Sequence, residues 1–151
     1  MTSFRFNVAL FHILLMLKVA VSVVTTEDPY QIYSFGRNDH GQLGVGDRLV
    51  RPIPVIVRGI YRPLSLSLGS QHTMSTTVDG LVFGWGEETQ GQLALIPENG
   101  FPVQGGSGHS FDVLRPTLLS LLAADRIKVA STGREHTVVC TWSGAVLSFG
   151  R

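Results

Sequence analysis

The sequence predicts an all-β fold built from repeated four-stranded antiparallel blades. Three observations carry that prediction. First, Tyr33-Ser-Phe-Gly36 leads after four residues to Gly41-Gln42-Leu43-Gly44, and Phe83-Gly-Trp-Gly86 leads after four to Gly91-Gln92-Leu93-Ala94, so Gly36/Gly86 and Gly41/Gly91 are each 50 residues apart. Second, Gly69-x-x-His72-Thr73 recurs as Gly133-x-x-His136-Thr137, and Arg51-Pro52 as Arg115-Pro116, each displaced by 64 residues. The extra 14 residues match a Gly/Pro-rich stretch at 97–110. Third, Asp79-Gly80 and Ser143-Gly144 sit between apolar runs as two-residue hairpin signals. A period near 50 residues with one hairpin per unit is the mark of a propeller blade. About two and a half units fit in the chain, against ~4–8 blades in a closed ring, so a partial β-propeller with an incomplete ring is expected.

The units follow in order. Residues 1–17 form an apolar start, 18–62 a degenerate first repeat, 63–126 a second repeat with the 97–110 insertion, and 127–151 a truncated third repeat. The start admits several readings. Residues 8–17 are apolar apart from His12, Arg5 precedes them, and Ala20-Val-Ser22 has the small residues of a cleavage site, so residues 1–22 read as a signal peptide. Against that, Lys18-Val-Ala20 resembles Lys128-Val-Ala130, and Val23-Val-Thr25-Thr26 resembles Val138-Val-Cys-Thr141, which reads as a damaged blade behind an unrelated start. An interior strand is the third reading. Lys18 interrupts the run, which falls short of the ~20 apolar residues a span needs, so a membrane partner is not expected.

In the second unit Leu64, Leu66 and Leu68 alternate with Ser65 and Ser67, predicting a strand with one apolar face. Residues 73–78 and 81–85 are the next strands, joined by a type I′ turn at Asp79-Gly80. The third unit repeats the pattern, and 8 of 23 positions agree between residues 64–86 and 128–150.

Composition narrows the function. Charged residues are 15% of the chain, below the ~25% of ordinary domains, and the net charge is +1 with no two Lys or Arg adjacent. That excludes a nucleic-acid partner held by a basic patch. Cys140 is the single cysteine, so no intrachain disulfide forms. No Asn-x-Ser/Thr sequon occurs. A cytoplasmic or nuclear location is favoured, with the secretory pathway the alternative if residues 1–22 are a signal peptide.

The ordered motifs Gly-x-x-His-Thr, hairpin, aromatic-Gly and Gly-Gln-Leu-Gly resemble the repeat of the regulator-of-chromosome-condensation family, across residues 18–151. The resemblance implies blades of a seven-bladed propeller. It implies a protein-interaction scaffold that is not an enzyme. As the alternative, it implies part of a guanine-nucleotide exchange factor for a Ran-type small GTPase, acting through a loop that deforms the nucleotide site. The pattern is incomplete. The first unit lacks its Gly-x-x-His, Ala94 stands where the first unit has Gly44, and Leu95-Ile96 replaces Val45-Gly46. The chain stops in mid-motif after Phe149-Gly150-Arg151, as a fragment would, and its open ends predict self-association or pairing with blades supplied in trans.

Individual residues add no catalytic, cofactor or metal site. Gly41-x-x-Gly44-x-Gly46 has the wrong order for a dinucleotide loop. His72 and His136 share a repeat position without carboxylate or cysteine partners at ligand spacing, and read as blade-stabilising residues. His40 reads as an exposed loop residue. Phe35, Trp85 and Phe149 read as packing between blades. Trp142 reads either as packed or as an exposed anchor for a protein partner. Cys140 reads as an inert strand residue. The 97–110 insertion is the strongest binding candidate, with Phe101 its apolar group and Phe111 just beyond it; an ordinary flexible loop is its alternative.

Overall fold

The computed structural model describes residues 19–24, 31–95 and 112–151. The apolar start at 1–17 and the 97–110 insertion lie outside them. The described residues form three antiparallel sheets in succession. The first holds β1 (Val19–Val24), β2 (Gln31–Gly36) and β3 (Arg51–Val57) in that order. The second holds β4 (Pro63–Leu68), β5 (His72–Thr77), β6 (Val82–Gly86) and β7 (Val113–Leu118). The third holds β8 (Ile127–Thr132), β9 (His136–Thr141) and β10 (Val146–Gly150). The segment that reads as a cleavage site, Ala20-Val-Ser22, lies in β1 and pairs with Phe35, Ser34 and Tyr33.

Successive sheets pack face to face. Ile32 and Val57 of the first sheet meet Trp85 of the second, with Leu66, Phe83 and Val113 against them. Met74 and Val82 of the second meet Ile127, Ala130 and Val139 of the third, with Leu93, Leu119 and Leu122 closing the cluster. This places β5 between two neighbours, and all six of its residues are buried. Its sequence, HTMSTT, is nonetheless polar. Each hydroxyl therefore finds a partner, as buried polar groups must. Thr73 Oγ1 donates to the Gln42 carbonyl at 2.9 Å, Ser75 Oγ to the Ser65 carbonyl at 3.1 Å, and Thr76 Oγ1 bonds Ser65 Oγ at 2.5 Å.

One exchange recurs at both sheet junctions. The Gln42 carbonyl, in the glycine loop of the first unit, accepts from Thr73 Oγ1 and from Trp85 Nε1, both at 2.9 Å. The Gln92 carbonyl, its repeat counterpart, accepts from Thr137 Oγ1 at 2.7 Å. Each glycine loop is thus fastened to the central strand of the next sheet. At the first junction the ring of Trp85 lies so close to Gly44 that a Cβ there would sit 2.8 Å from Nε1. At the second junction the repeat puts Ala94 in the position of Gly44 and Phe149 in that of Trp85, and Phe149 packs against the second core cluster. The Phe149 ring has no N–H to donate, and the Gln92 carbonyl keeps the threonine donor, Thr137.

His72 completes the second junction. Thr137 Oγ1 gives its proton to Gln92 and so accepts from His72 Nε2–H at 3.0 Å. That fixes the neutral Nε2–H tautomer. Nδ1 is buried without a partner. Burial, then the nearby His136, lowers the imidazole to about 4. The blade-stabilising role is met at His72, whereas His136 is exposed.

Two local expectations are corrected. The hairpin at Asp79-Gly80 is not a two-residue type I′ turn. Thr77 N donates to the Leu81 carbonyl and Gly80 N to the Thr77 carbonyl, both at 2.9 Å, and only Gly80 has positive φ, +84°. That is a three-residue loop, a type I turn followed by a bulged glycine. The turn at Ser143-Gly144 repeats it, with Thr141 N to Ala145 O at 2.9 Å and Gly144 at φ +92°. The preceding threonine explains the longer loop. Thr77 Oγ1 accepts the Leu81 N–H at 3.1 Å and Thr141 Oγ1 the Ala145 N–H at 3.0 Å, so the side chain finishes the turn. The leucine alternation of β4 is only partly buried. A bulge between Pro63 and Ser65 turns Leu64 out, 54% exposed, while Leu66 packs on the first sheet.

Two outcomes follow. Gly80→Val combines strain at positive φ with a Cβ 3.0 Å from Arg126 Cβ, whereas Gly144→Val carries the strain with open space around it. Thermal melting should rank Gly80→Val as most destabilising, Gly144→Val next, and Cys140→Ala nearly neutral. Second, the unfolded imidazole of His72 takes a proton below its ordinary 6.5 and the folded one only near 4. Stability is therefore complete above 6.5 and falls as pH drops through that window, by up to about 3 kcal/mol. Urea titrations at pH 7.5 and 4.5 should show that acidification costs the parent more stability than it costs His72→Gln, the difference between the two being the His72 contribution.

Candidate partner-binding site

The connections between strands gather at two opposite ends of the sheets. One end carries the glycine loops after β2 and β6 and the Gly-x-x-His turns. Glu87 N donates to the Gln71 carbonyl at 2.8 Å, and Arg151 N to the Glu135 carbonyl at 2.9 Å, so strand ends and turns are tied together there.

The loop after β2 is rigid for reasons visible residue by residue. Asn38 Oδ1 accepts the Leu43 N–H at 3.0 Å and its Nδ2 donates to the Asp47 carbonyl at 2.8 Å. Gln42 Oε1 accepts the His40 N–H at 2.9 Å, and Gln92 Oε1 accepts the Gln90 N–H at 2.7 Å in the second unit. Glu88 stands in the place of Asn38. Its carboxylate accepts the Leu93 N–H and, at 2.9 Å, the Leu95 N–H. Burial pushes this carboxyl up to about 7. Its contribution has the opposite sign to that of His72: present below the ordinary 4.5 and lost as pH rises through 7.

A charged clasp joins this loop to the second sheet. The side chain of Asp112 is fully covered; it accepts from Arg48 Nε at 2.9 Å and from His40 Nδ1 at 3.2 Å. His40 is therefore not the exposed loop residue expected, because Asp112 holds its ring. Asp112 immediately precedes β7 and follows the 97–110 segment, so the clasp fixes the point where that segment rejoins the sheet. Sequence reasoning missed this cluster. The one signal was that Arg48 and Asp112 occupy equivalent places in the 64-residue displacement with opposite charge. Nearby, the Leu49 N–H and then Arg51 hold Asp47 below the usual carboxylate range, and Arg37 does the same for Asp39.

Other singled-out residues lie apart. Trp85 is buried at the first junction and Phe149 packs on the second, while Phe35 pairs with Ala20 in the first sheet. Cys140 lies in β9, half-buried, its Sγ 3.5 Å from the Thr141 carbonyl. Trp142 is at the opposite end, on the β9–β10 hairpin, 58% exposed. Phe101, Phe111 and the insertion are outside the described residues. Among the described residues no group of three or more His, Cys, Asp or Glu is placed to hold a metal ion. The loop end offers a hydrogen-bonded, charge-paired platform, and its chemistry suits macromolecular contact.

Comparison with known proteins agrees with this architecture. The regulator of chromosome condensation (RCC1) repeat matches residues 31–75 and 79–140. The human probable E3 ubiquitin-protein ligase HERC3 is 35% identical over 123 residues, covering 80% of this chain and 11% of that protein. The zebrafish protein RCC2 homolog is 32% identical over 131 residues, covering 85% of this chain and 23% of that protein. Among solved structures, human WBSCR16 superposes with a TM-score of 0.69 at 23% identity, covering 89% of this chain and 32% of that one. Yeast RCC1 (Prp20), solved with Kap60, gives 0.65 at 23% identity, covering 85% of this chain and 29% of that one. A separate yeast Prp20p structure, described together with its binding properties to Gsp1p and histones, gives 0.67 at 22%. The chain spans between 11% and 32% of the length of these proteins.

These findings correct one expectation. The expectation that the chain is not an enzyme does not stand beside a fold shared with yeast RCC1 (Prp20), a protein described with its binding to Gsp1p. The non-catalytic reading is withdrawn. All-β antiparallel sheets, the repeat motifs at both junctions and the match over most of the chain lead to one conclusion: this chain belongs to the RCC1 repeat family, with a fold resembling an incomplete RCC1-type propeller.

Proposed function

We propose that this chain supplies part of the partner-binding face of an RCC1-type propeller that promotes guanine-nucleotide exchange on a Ran-type small GTPase. The observation that carries this reading is the loop end. The connection from Gly86 to Val113 leaves the second sheet there, and the Asp112 clasp fixes its return. An exchange factor displaces nucleotide by presenting a loop to the GTPase, and a loop transmits force only from a rigid base. The likeness to Prp20p, a protein described with its binding to Gsp1p, supports the same partner class. A nuclear location goes with this reading, as does contact with a transport factor such as the Kap60 bound to yeast RCC1.

The test is release of a fluorescent guanine nucleotide from a purified Ran-type GTPase with the full chain added. Faster release is expected, with deletion of residues 97–110 abolishing it. Asp112→Asn should lower it several-fold while leaving the far-ultraviolet circular dichroism unchanged. A release rate equal to that of the GTPase alone contradicts the proposal.

A further inference from the structure

The hairpin end of the sheets carries a charge imbalance that the repeat makes visible. In the second unit Arg62 Nη1 lies 3.3 Å from Asp79. The 64-residue displacement puts Arg126 in the place of Arg62 and Ser143 in the place of Asp79. It also puts Lys128 in the place of Leu64 and Trp142 in the place of Val78. The third unit therefore keeps the arginine, loses its carboxylate, gains a lysine and exchanges valine for tryptophan. Among the described residues, neither Arg126 nor Lys128 has a carboxylate within ion-pair distance. Asp125, exposed beside Arg126, is the one acid on the 119–126 connection.

Trp142 is exposed without being loose. Its backbone N–H donates to the Arg126 carbonyl at 2.9 Å, as Val78 N does to Arg62 at 3.1 Å. Lys128 Nζ lies 5.5 Å from the centre of its ring. The main chain at Arg126 is itself anchored, since Ile127 N donates to the Gly80 carbonyl at 2.9 Å. An indole on a fixed backbone, flanked by two unpaired cations, has the composition of an interface hot spot. Covering it buries a large apolar area with little loss of backbone freedom.

We propose that this end of the third sheet docks an acidic segment of a protein partner, one that carries carboxylates beside an apolar residue. The apolar residue covers the Trp142 ring, and the carboxylates pair with the Arg126 fork and the Lys128 ammonium. Nucleic acid is the poorer occupant. Two cations on a chain of net charge +1 neutralise few phosphates. The site lies opposite the glycine loops, so it stands whether or not the exchange reading does.

The probe is a fluorescein-labelled peptide of glutamates flanking a central leucine, read by anisotropy on the full chain. Its glutamine analogue and a short DNA duplex are run beside it. Trp142→Val and Lys128→Leu restore the residues of the second unit, and Ser143→Asp restores its acid. We expect the peptide to bind more tightly than either comparison ligand, and more weakly as salt is raised. Trp142→Val should weaken it about tenfold, and Lys128→Leu with Ser143→Asp by a similar factor, at unchanged melting temperature. Lys128→Leu alone, at an exposed side chain, keeps the test open if another variant fails to fold. Equal binding of the glutamine analogue, tighter binding of DNA, no peptide binding, or affinity unmoved by the variants each overturns the proposal. Nucleotide release from the GTPase, measured on the same variants, should be unaffected, which separates this site from the loop end.

Discussion

The bond from a threonine hydroxyl to a glutamine backbone carbonyl of the preceding unit is the constraint on which the rest depends. Sheets of this kind are small, and apolar contact alone leaves adjacent sheets free to slide. The carbonyls of Gln42 and Gln92 remove that freedom. Each sits in a glycine loop whose own side chains set its shape, and each accepts from the central strand of the next sheet. Because the acceptor is buried, leaving it unmatched costs the full desolvation penalty, roughly 1–3 kcal/mol. The interface therefore tolerates one register. This accounts for a central strand, β5, that is buried on both faces and yet built from hydroxyl side chains.

The same bond couples fold to function. Fastening the loop of one unit to the sheet of the next gives the loop end a stiff floor. The Asp112 clasp adds a second fixed point where the 97–110 segment returns. The two junctions are variations on one design. The first pairs Gly44 with Trp85 and uses two donors on one carbonyl, while the second brings in His72 through Thr137. The third sheet differs from the second at its last strand. Val82 is 2% exposed in the second sheet, and its counterpart Val146 is 65% exposed.

Much of this was legible in the residues. The displacements of 50 and 64 located the glycine loops, the hairpins and the aromatic positions, because backbone geometry restricts which side chains fit there. The β4 alternation predicted the right strand but overstated its burial, since a bulge at Leu64 breaks the period. The hairpins came out one residue longer than Asp-Gly and Ser-Gly suggest, because Thr77 and Thr141 complete the turn through their hydroxyls. The junction bond was not legible at all. Its acceptor is main chain and carries no side-chain identity, so the recurring Thr73 and Thr137 gave only half of the pair. The Asp112 cluster was hidden for a different reason: its members are far apart in sequence and meet only through sheet packing.

The central claim is that the buried carbonyl of Gln42 holds the first junction, and it predicts a particular departure from additivity. Thr73 and Trp85 share that acceptor, so either donor alone still satisfies it. The direct measurement is a double-mutant cycle of Thr73→Val and Trp85→Phe by urea unfolding. The account predicts that the double variant loses more than the sum of the single losses, by about 1 kcal/mol, since only then is the carbonyl left bare. Strictly additive losses would contradict it.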